Sequence, residues 1–342
     1  MKKYFIGIDV SKKTIDVSFV ESDFQRKPEY LAQYTNDKKG YRLMVKDLKT
    51  ALRGVSSGQW LFCCETTGGY DRQLCYWLTD HGMHIWRESA LQIKQSMGIR
   101  RGKNDKADSM VIADYARRHP DKICLFTKPS EALATLKELY IYRQNLVDKA
   151  KTTKNRFKAL DARGTTISSA ARFILQDSKD EIKRLEDSIK KCERAMEEVI
   201  RSDNQLEKNY RHVKSVKGFG LIATIALIVY SGNFTNIPTA NKMATYCGIA
   251  SFRCTSGTSV NYRQDVGYLS NRRLKGVLTM AARCAIQYDD SMRQYYQRKT
   301  AQGKLHGIAI NNVKNKLLHI AYALVKNDCD YDTNHVNSWQ GD

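Results

Sequence analysis

Two β-rich runs at the start of the chain constrain its fold most strongly. They span Tyr4–Val10 and Thr14–Glu21 and are separated by Ser-Lys-Lys, which predicts an antiparallel pair of strands. Asp9 falls near the end of the first strand. A second acid, Glu65, directly follows the short apolar run Trp60–Cys64, which is typical of a strand covered on both faces. Both acids are therefore expected at strand ends.

The alternation that follows predicts an α/β domain. A helix is expected over Tyr70–Asp80, closed by Gly82 as a C-cap, and it is followed by a strand over Met83–Arg87 and a helix over Ala90–Met97. Alternating strands and helices after an opening hairpin favour an α/β sheet. The crevice at the carboxyl ends of its strands is where such sheets place functional side chains.

Two further acids lie at the start of a predicted helix, and the segment that precedes this helix is strongly basic. If the helix begins near Asn104, Asp105 and Asp108 are at i and i+3, about 5–6 Å apart on one face. Carboxylates held this closely repel each other unless a cation neutralises them, and hard oxygen ligands select Mg²⁺ or Mn²⁺. Together with Asp9 and Glu65 they form the set that two-metal phosphoryl chemistry needs. The alternative is an ordinary solvated helix face.

The charge balance points to a polyanionic partner. The 342 residues include 57 basic and 36 acidic side chains, a net charge of +21, which favours a nucleic acid over a small acidic substrate. Positive charge attracts DNA and RNA alike, so it does not say which. The candidate nucleic-acid contacts near the four acids are Lys12, Arg100, Arg101, Lys103 and Lys106.

A GID strand also opens the sugar-kinase and actin-like ATPase fold. Those proteins need a glycine-rich phosphate loop after the aspartate. Here Ser11, Lys12 and Lys13 follow Asp9 instead, which disfavours that fold.

The cysteines and apolar runs bear on the compartment. Nine cysteines without regular spacing, in a chain with no signal peptide, indicate reduced intracellular thiols and no zinc site. The longest apolar run, Leu221–Tyr230, is too short for a membrane span. We therefore predict a cytoplasmic protein with no membrane partner.

The middle of the chain predicts two long helices. The first covers Leu133–Leu160, and the pattern breaks near Gly164. The second carries apolar residues at alternating steps of three and four, a heptad seam: Ile182, Leu185, Ile189, Cys192, Met196 and Val199. Two such helices joined by a loop make an antiparallel coiled-coil arm or a dimerisation element.

The last third is mostly helical in pattern. In Val213–Tyr230 the KGFG turn, which contains Lys217, fits either a helix-hairpin-helix that presents backbone amides to phosphate or a simple helix–helix turn. A short helix over Asn241–Cys247 precedes a polar loop at 256–259. Final helices are expected over about Leu269–Lys299 and Ala309–Lys326, with a loosely ordered tail from residue 328.

Five stretches of this sequence resemble one known family. GIDVSK surrounds Asp9, CCETTGGY surrounds Glu65 and KNDKADSMVIADYAR contains Asp105 and Asp108, while MATYCGIASFRCTSGTSV and LSNRRLKGVLTMAARCA lie in the last third. In order and separation they resemble the IS110-family insertion-sequence transposases, which are relatives of the pilin-gene-inverting recombinases. The resemblance extends from Ile6 to about Leu324.

The resemblance implies a domain plan. It implies an α/β RNase H/RuvC-like DEDD domain at 1–128, an antiparallel coiled-coil helical linker at 129–205, a mostly α-helical second (transposase) domain at 206–330 and a tail at 331–342. It implies Mg²⁺ or Mn²⁺ at Asp9, Glu65, Asp105 and Asp108, and Ser256 as a nucleophile. The candidate nucleic-acid contacts in the second domain are Lys217, Arg253, Arg263, Arg272 and Arg273.

The chain departs from the family pattern near the serine. Ser251 stands where the family usually has a proline, and GYLSNRR replaces the common Ser-Lys-x-Gly stretch. These changes concern local details of the serine loop.

Family likeness also implies the activity. Such proteins excise and insert their own element as oligomers, dimers or tetramers, and IS110 members use an element-encoded bridge RNA to pair target and donor DNA. The acids of one subunit and Ser256 of another would then act on one strand. Two other functions stay open from the residues: a RuvC-type nuclease or junction resolvase in which metal-activated water replaces the serine, and a non-enzymatic basic nucleic-acid scaffold.

Overall fold

The chain divides into two units, Met1–Lys128 and Pro129–Asp342, and we describe each by itself. The structure is a computed structural model. It describes residues 3–96, 105–162, 168–250, 253–256, 260–263 and 270–332, and for 253–256 and 260–263 it describes the backbone alone.

The first unit is an α/β domain built on one five-stranded sheet. Its elements, in chain order, are β1 (Tyr4–Val10), β2 (Thr14–Glu21), β3 (Glu29–Thr35), α1 (Lys38–Ala51), β4 (Trp60–Glu65), α2 (Arg72–Asp80), β5 (Ile85–Glu88), α3 (Ala90–Ser96) and α4 (Asp105–Arg118). The predicted opening hairpin is confirmed, and the other predicted elements of this unit agree to within two residues at every described end. Neither β3 nor α1 was predicted.

The sheet places β1 at its centre. The strand order is β3-β2-β1-β4-β5. Strand β2 is antiparallel to both β1 and β3, whereas β4 is parallel to both β1 and β5. Alternate residues of β1 enter different cores: Ile6 and Ile8 pack with α1 and α2, whereas Phe5 packs with α3 and α4. The central strands are covered on both faces, which explains their continuous apolar sequences.

The second unit is mostly helical. Its elements are α5 (Glu131–Asp161), α6 (Ser169–Arg201), α7 (Asn204–Lys214), α8 (Leu221–Ser231), α9 (Ala240–Tyr246), the two-stranded β6 (Arg253–Ser256) and β7 (Val260–Arg263), α10 (Arg272–Tyr288), α11 (Asp290–Ala301) and α12 (His306–Asn327). The core centres on α8, which is apolar around its whole circumference and packs between α7, α10 and α5.

The helices α5 and α6 run antiparallel along each other. Arg143 of α5 pairs with Glu193 of α6 at 2.7 Å, and further along α5 Lys154 pairs with Glu186 at 2.6 Å. The partner on α6 has a lower residue number when the residue on α5 has a higher one, so the two helices are antiparallel and form a hairpin. Coiled-coil packing within this hairpin stays a prediction.

The prediction of a single helix over Leu269–Lys299 was wrong, and the prediction of a loosely ordered tail from residue 328 was wrong for residues 328–332, its described start. The helix expected over Leu269–Lys299 is two helices, because Asp289 caps α11 by accepting hydrogen bonds from the backbone amides of Ser291 and Met292. The tail is also tied down at its start: Asp330 Oδ1 lies 2.6 Å from the buried His212 Nδ1.

Two general features complete the description. No helix in the described ranges is both long and apolar enough to span a lipid bilayer. The eight cysteines whose side chains are described are all free thiols.

Candidate metal centre

Asp9 and Glu65 lie side by side at the carboxyl edge of the parallel strands. The β1–β4 ladder pairs Ile8 with Cys64, so the residues that follow them are neighbours. Cys63 packs in the core shared with α3 and α4. Because side chains alternate along a strand, Glu65 points to the same side of the sheet.

The helix α4 packs directly on the backbone of β1. A Cβ atom at Gly7 would lie 2.2 Å from the carbonyl oxygen of Ser109, so only glycine permits this approach. The hydroxyls of Ser18 on β2 and Ser109 share a buried hydrogen bond of 2.7 Å. Ser109 directly follows Asp108, and Gly7 lies two residues before Asp9, so this contact sets the distance between the acids of the strand and the helix.

Three of the four predicted acids converge. Carboxylate oxygens of Asp9, Asp105 and Asp108 all lie within 4.8 Å of one another. Asp105 is exposed, while Asp9 and Asp108 are partly buried. Glu65 lies outside this group of three, yet its charge contributes to the electrostatics of Asp9.

The electrostatics of the cluster favour a cation. Burial, followed by the charges of Asp108, Asp105 and Glu65, raises the pKa of Asp9 from its ordinary value of 3.8 to about 6. A bound cation would reverse the repulsive part of this shift, since it favours the ionised carboxylates.

The donor set fits a hard divalent ion. Mg²⁺ takes oxygen ligands at about 2.0–2.1 Å, so ligands on opposite sides of one ion are about 4 Å apart. Oxygen atoms that all lie within 4.8 Å match that size. Carboxylates suit Mg²⁺ and Mn²⁺, whereas thiolates and imidazoles suit softer metals. Asp9, Asp105 and Asp108 would be the ligands, with Glu65 beside them.

Sequence reasoning missed Asp16, a buried carboxylate behind the cluster. It lies opposite Asp9 in the β1–β2 ladder and accepts hydrogen bonds from Tyr30 Oη at 2.8 Å and Gln33 Nε2 at 2.9 Å. Its charge also raises the pKa of Asp9. The sequence feature that could have identified Asp16 was a lone acid within the apolar strand TIDVSFV.

A second missed acid, Glu88, ends β5. It is aligned with Glu65 across the β4–β5 ladder and accepts a hydrogen bond from Tyr115 Oη at 3.3 Å. Burial, followed by the charge of Glu88, raises the pKa of Tyr115 to about 12. The sequence feature that could have identified Glu88 was its position at a strand end, like that of Glu65.

The predicted cations of the first unit are only partly described. Lys12 is exposed in the turn between β1 and β2. Lys106 lies in the first turn of α4, and its Nζ is 5.0 Å from the centre of the Tyr30 ring. Three others lie outside the described residues: Arg100, Arg101 and Lys103.

Ser256 belongs to the second unit. It is the last residue of β6, and its Cα is paired with that of Val260 in β7. Arg253 and Arg263 are opposite each other in the same ladder. The side chains of Ser256 and of both arginines lie outside the described part of the structure.

Arg272 and Arg273 lie in the first turn of α10. Arg272 is exposed, whereas Arg273 Nη2 pairs with Asp148 Oδ2 of α5 at 2.7 Å. Both members of that pair are more than half exposed, so the pair contributes little stability and leaves Arg273 able to exchange partners.

Lys217 is exposed in the turn between α7 and α8. The next residue, Gly218, has φ of 109°, and a Cβ there would lie 2.5 Å from the carbonyl oxygen of Ala281. The first glycine of KGFG is therefore required by backbone conformation and by close packing against α10.

A second group of metal-ligating types, Cys64, Asp71 and Cys75, is buried in the first unit. Asp71 forms an ion pair with Arg87, and the two sulfur atoms are 3.8 Å apart. The hydrogen bond between the thiols, followed by burial, raises the pKa of Cys64 well above its ordinary value. Both buried thiols pack as apolar core residues.

Comparison with family models identifies the two parts of the chain. A transposase model of the DEDD type found in IS110 elements matches residues 6–161. A model of the transposase IS116/IS110/IS902 family matches residues 210–297.

Individual relatives agree with these matches. The chain is 23% identical over 339 residues to the pilin gene-inverting protein of Moraxella lacunata, covering 97% of this chain and 98% of that protein. It is 29% identical over 119 residues to a 43.6 kDa protein of insertion element IS110 from Streptomyces coelicolor, covering 35% of this chain and 29% of that protein. The IS116 protein of Streptomyces clavuligerus is 25% identical over 154 residues, covering 45% of this chain and 37% of that protein. The expected family is confirmed: this chain belongs to the IS110 family of transposases.

Proposed function

We propose that this protein is a DNA recombinase that cuts and rejoins strands to move its own insertion element. The observation that carries the proposal is the convergence of Asp9, Asp105 and Asp108 within 4.8 Å, from a strand and a helix that are far apart in sequence. The net charge of +21 supports a nucleic-acid substrate.

The acids provide a site for divalent ions. A divalent ion bound there would stabilise the charge that develops on the phosphate oxygens and on the attacking and leaving oxygens. Asp9, Asp105 and Asp108 would hold the ion, and Glu65 would complete the site from β4. Asp16 and Glu88 would orient this shell, since each is fixed by a tyrosine hydroxyl. The RNase H/RuvC-like assignment of this unit is part of the same proposal, and the mixed sheet with acids at its strand ends supports it.

Ser256 supplies the nucleophile in this proposal. Its Oγ attacks a phosphodiester phosphorus, forming a serine–phosphate bond and breaking the bond from phosphorus to a deoxyribose oxygen. The leaving oxygen takes the proton that the serine loses, so a free strand end and a phosphoserine link result. A hydroxyl of another strand then attacks the phosphoserine, restores the serine and completes rejoining. Cations of β6, β7 and the first turn of α10 would bind the phosphate, namely Arg253, Arg263, Arg272 and Arg273, with Lys217 near them in sequence.

The proposal includes partners that the family resemblance implies. A structured guide RNA would pair with donor and target DNA, and a dimer or tetramer would bring the acids of one subunit to Ser256 of another. Sequencing the nucleic acid that co-purifies with the protein tests the RNA directly, because a structured RNA encoded beside the gene is expected.

The decisive experiment traps the covalent link. Protein purified together with its co-purifying nucleic acid is incubated with Mn²⁺ and labelled element-end DNA, denatured, and examined for a DNA-linked band. Wild type gives the band, and Ser256→Ala gives none while keeping the Tm of the wild type. Ser259→Ala, a control three residues on, keeps the band.

The outcomes separate the candidate functions. If Ser256→Ala still recombines DNA, the serine mechanism is overturned. If the wild type cuts DNA without any covalent link, and Asp105→Asn abolishes cutting, the protein is a metal-dependent nuclease or resolvase. If neither substitution changes any activity, it is a basic scaffold.

A further inference from the structure

A pocket with several amide side chains in its lining lies between α9 and α12. Its volume is about 370 Å³, close to the lower limit of about 300 Å³ for small-molecule sites. Four of the eight residues that line it are asparagines, namely Asn241, Asn311, Asn312 and Asn315. Asn241 is exposed, and the other three are partly buried.

One of these amides has an unused donor. Asn312 Nδ2 is buried and has no hydrogen-bond partner among the described residues. Leaving a buried donor unpaired is costly, so it calls for a ligand or another structural explanation. A carboxamide offers a donor and an acceptor side by side, and this pair matches the edge of a nucleobase, as in asparagine bound to adenine.

A cationic cluster forms between Lys316 of α12, one turn after Asn312, and two cations of α11. Lys316 Nζ is 4.7 Å from the centre of the Tyr295 ring, which Arg298 approaches at 5.5 Å and Lys299 at 5.4 Å. Burial, followed by the charge of Arg298, lowers the pKa of Lys316. A bound anion would reduce the mutual repulsion of the three positive charges around this ring. Lys316 is at i+4 from Asn312, which places their Cβ atoms about 5–6 Å apart.

We propose that this pocket holds the base of one unpaired nucleotide and that Lys316 and Arg298 bind its phosphate. Lys316 is four residues after Asn312 on the same helix, so a cation lies close in sequence to the amides of the cavity. DNA and RNA share this chemistry. A paired base inside a duplex presents its edge only in a groove, so a base that enters a pocket must be unstacked.

Chain connectivity places the pocket near the serine. Ile249 and Ala250 also line it. Ala250 is six residues before Ser256, a separation of at most about 20 Å of extended chain. The role of the bound nucleotide in recombination rests on the proposed function, but its binding does not, since binding requires neither Ser256 nor a metal ion.

The test compares octamers with and without bases. Fluorescence anisotropy in EDTA measures binding of octamers of deoxyadenosine, adenosine and abasic sites that carry the same charge, with the other three bases run in parallel. In Asn312→Leu, leucine replaces the amide at similar size and removes the unpaired donor, so Tm should not fall. We expect a loss of about five-fold or more for at least one base-containing octamer and an unchanged affinity for the abasic one.

Matched variants complete the test. Asn327→Leu, on the exposed end of the same helix, should change neither affinity. Lys316→Gln should weaken the binding of all octamers alike and should reduce the salt dependence of binding by about one released counterion. Lys183→Gln, on the exposed face of α6, should change neither quantity. Asn315→Leu repeats the experiment if Asn312→Leu does not fold.

The results decide between support and rejection. If Asn312→Leu loses affinity only for octamers that carry bases, the result supports the pocket. Whether the deoxyribose or the ribose octamers lose affinity then identifies DNA or RNA as the source of the nucleotide. An equal loss on the abasic octamer, or no loss for any base, overturns the proposal. Neither result depends on cleavage, so failure of the recombinase mechanism would appear separately, in the covalent-link assay.

Discussion

Gly7 of β1 and Ser109 of α4 are in such close contact that a Cβ atom on Gly7 would come within 2.2 Å of the Ser109 carbonyl oxygen. Backbone of the strand and backbone of the helix therefore touch without intervening side chains. The acids Asp9 and Asp108 are carried toward each other by this contact, because each lies within two residues of it.

Gly7→Ala should destabilise the fold and separate the acids. The new methyl group has only backbone atoms to displace, which typically costs about 1–3 kcal/mol or more. Urea unfolding measures the loss. Gly58→Ala is the control, since the nearest atom to its Cβ would be 3.7 Å away and its stability should barely change. An unchanged free energy of unfolding in Gly7→Ala would contradict the packing described above.

A divalent ion should stabilise the wild-type protein. An ion that binds only the folded state raises Tm in proportion to the logarithm of its concentration. We expect Mg²⁺ or Mn²⁺ to raise Tm by a few degrees in the wild type and by much less in Asp9→Asn. Asp121→Asn, which removes an exposed acid of the same unit, should respond like the wild type. Equal shifts of Tm in all three proteins would show that these acids do not form a metal site.

Without metal, the ionised Asp9 should lower stability at neutral pH. Its folded-state pKa is raised from 3.8 to about 6, so the folded protein binds more protons than the unfolded chain between these values. Stability should therefore fall as pH rises from about 4 to 6 and stay reduced above that window. In EDTA at pH 7, Asp9→Asn should be more stable than the wild type by about 1–2 kcal/mol, after allowance for solvent screening. A less stable variant would show that the carboxylate is stabilised instead.

Asp105→Asn should abolish Mg²⁺-dependent cleavage while keeping the fold. Asparagine preserves shape and removes the charge that holds the ion, so a loss of at least about 100-fold is expected. Because Asp105 is exposed at the start of α4, Tm should change little. A gel assay with labelled DNA measures the rate, and Asp121→Asn again serves as control. Full activity in Asp105→Asn would exclude this acid from the site.

Local pattern predicted most of the first unit, and its failures have physical reasons. The apolar runs of β1, β2 and β4 and the spacing of α4 were sufficient, because each element buries a continuous face. The strand β3 is largely unburied and has no such pattern, which is why the sequence left it unassigned.

The second unit shows where tertiary contacts override local pattern. Apolar spacing continues from α10 into α11, and only the capping carboxylate of Asp289, buried and held by Tyr331 Oη at 3.1 Å, marks the break. Likewise the polar residues after 327 look unstructured locally, yet Asp328 and Asp330 bind His212 on α7. Neither partner is visible from sequence neighbours.

The acid positions were predictable, but their surroundings were not. Asp9 is one residue before the end of β1, Glu65 is the last residue of β4, and Asp105 and Asp108 share a helical turn, as the sequence pattern predicts. The distances depend on the approach of α4 to Gly7. The roles of Asp16 and Glu88 depend on tyrosines from β3 and α4 that no local pattern connects to them.

Asp9 comes from the first strand of its unit and Asp108 from the last α-helix. A nascent chain on the ribosome therefore presents the strand acid long before the helix acids exist. A product truncated before α4, for example from an interrupted gene, would have the strand acids but not the helix acids of the proposed ion-binding group. If the proposed metal-dependent mechanism holds, the capacity to cut DNA would thus arise only in a polypeptide whose first unit has been completely synthesised and folded.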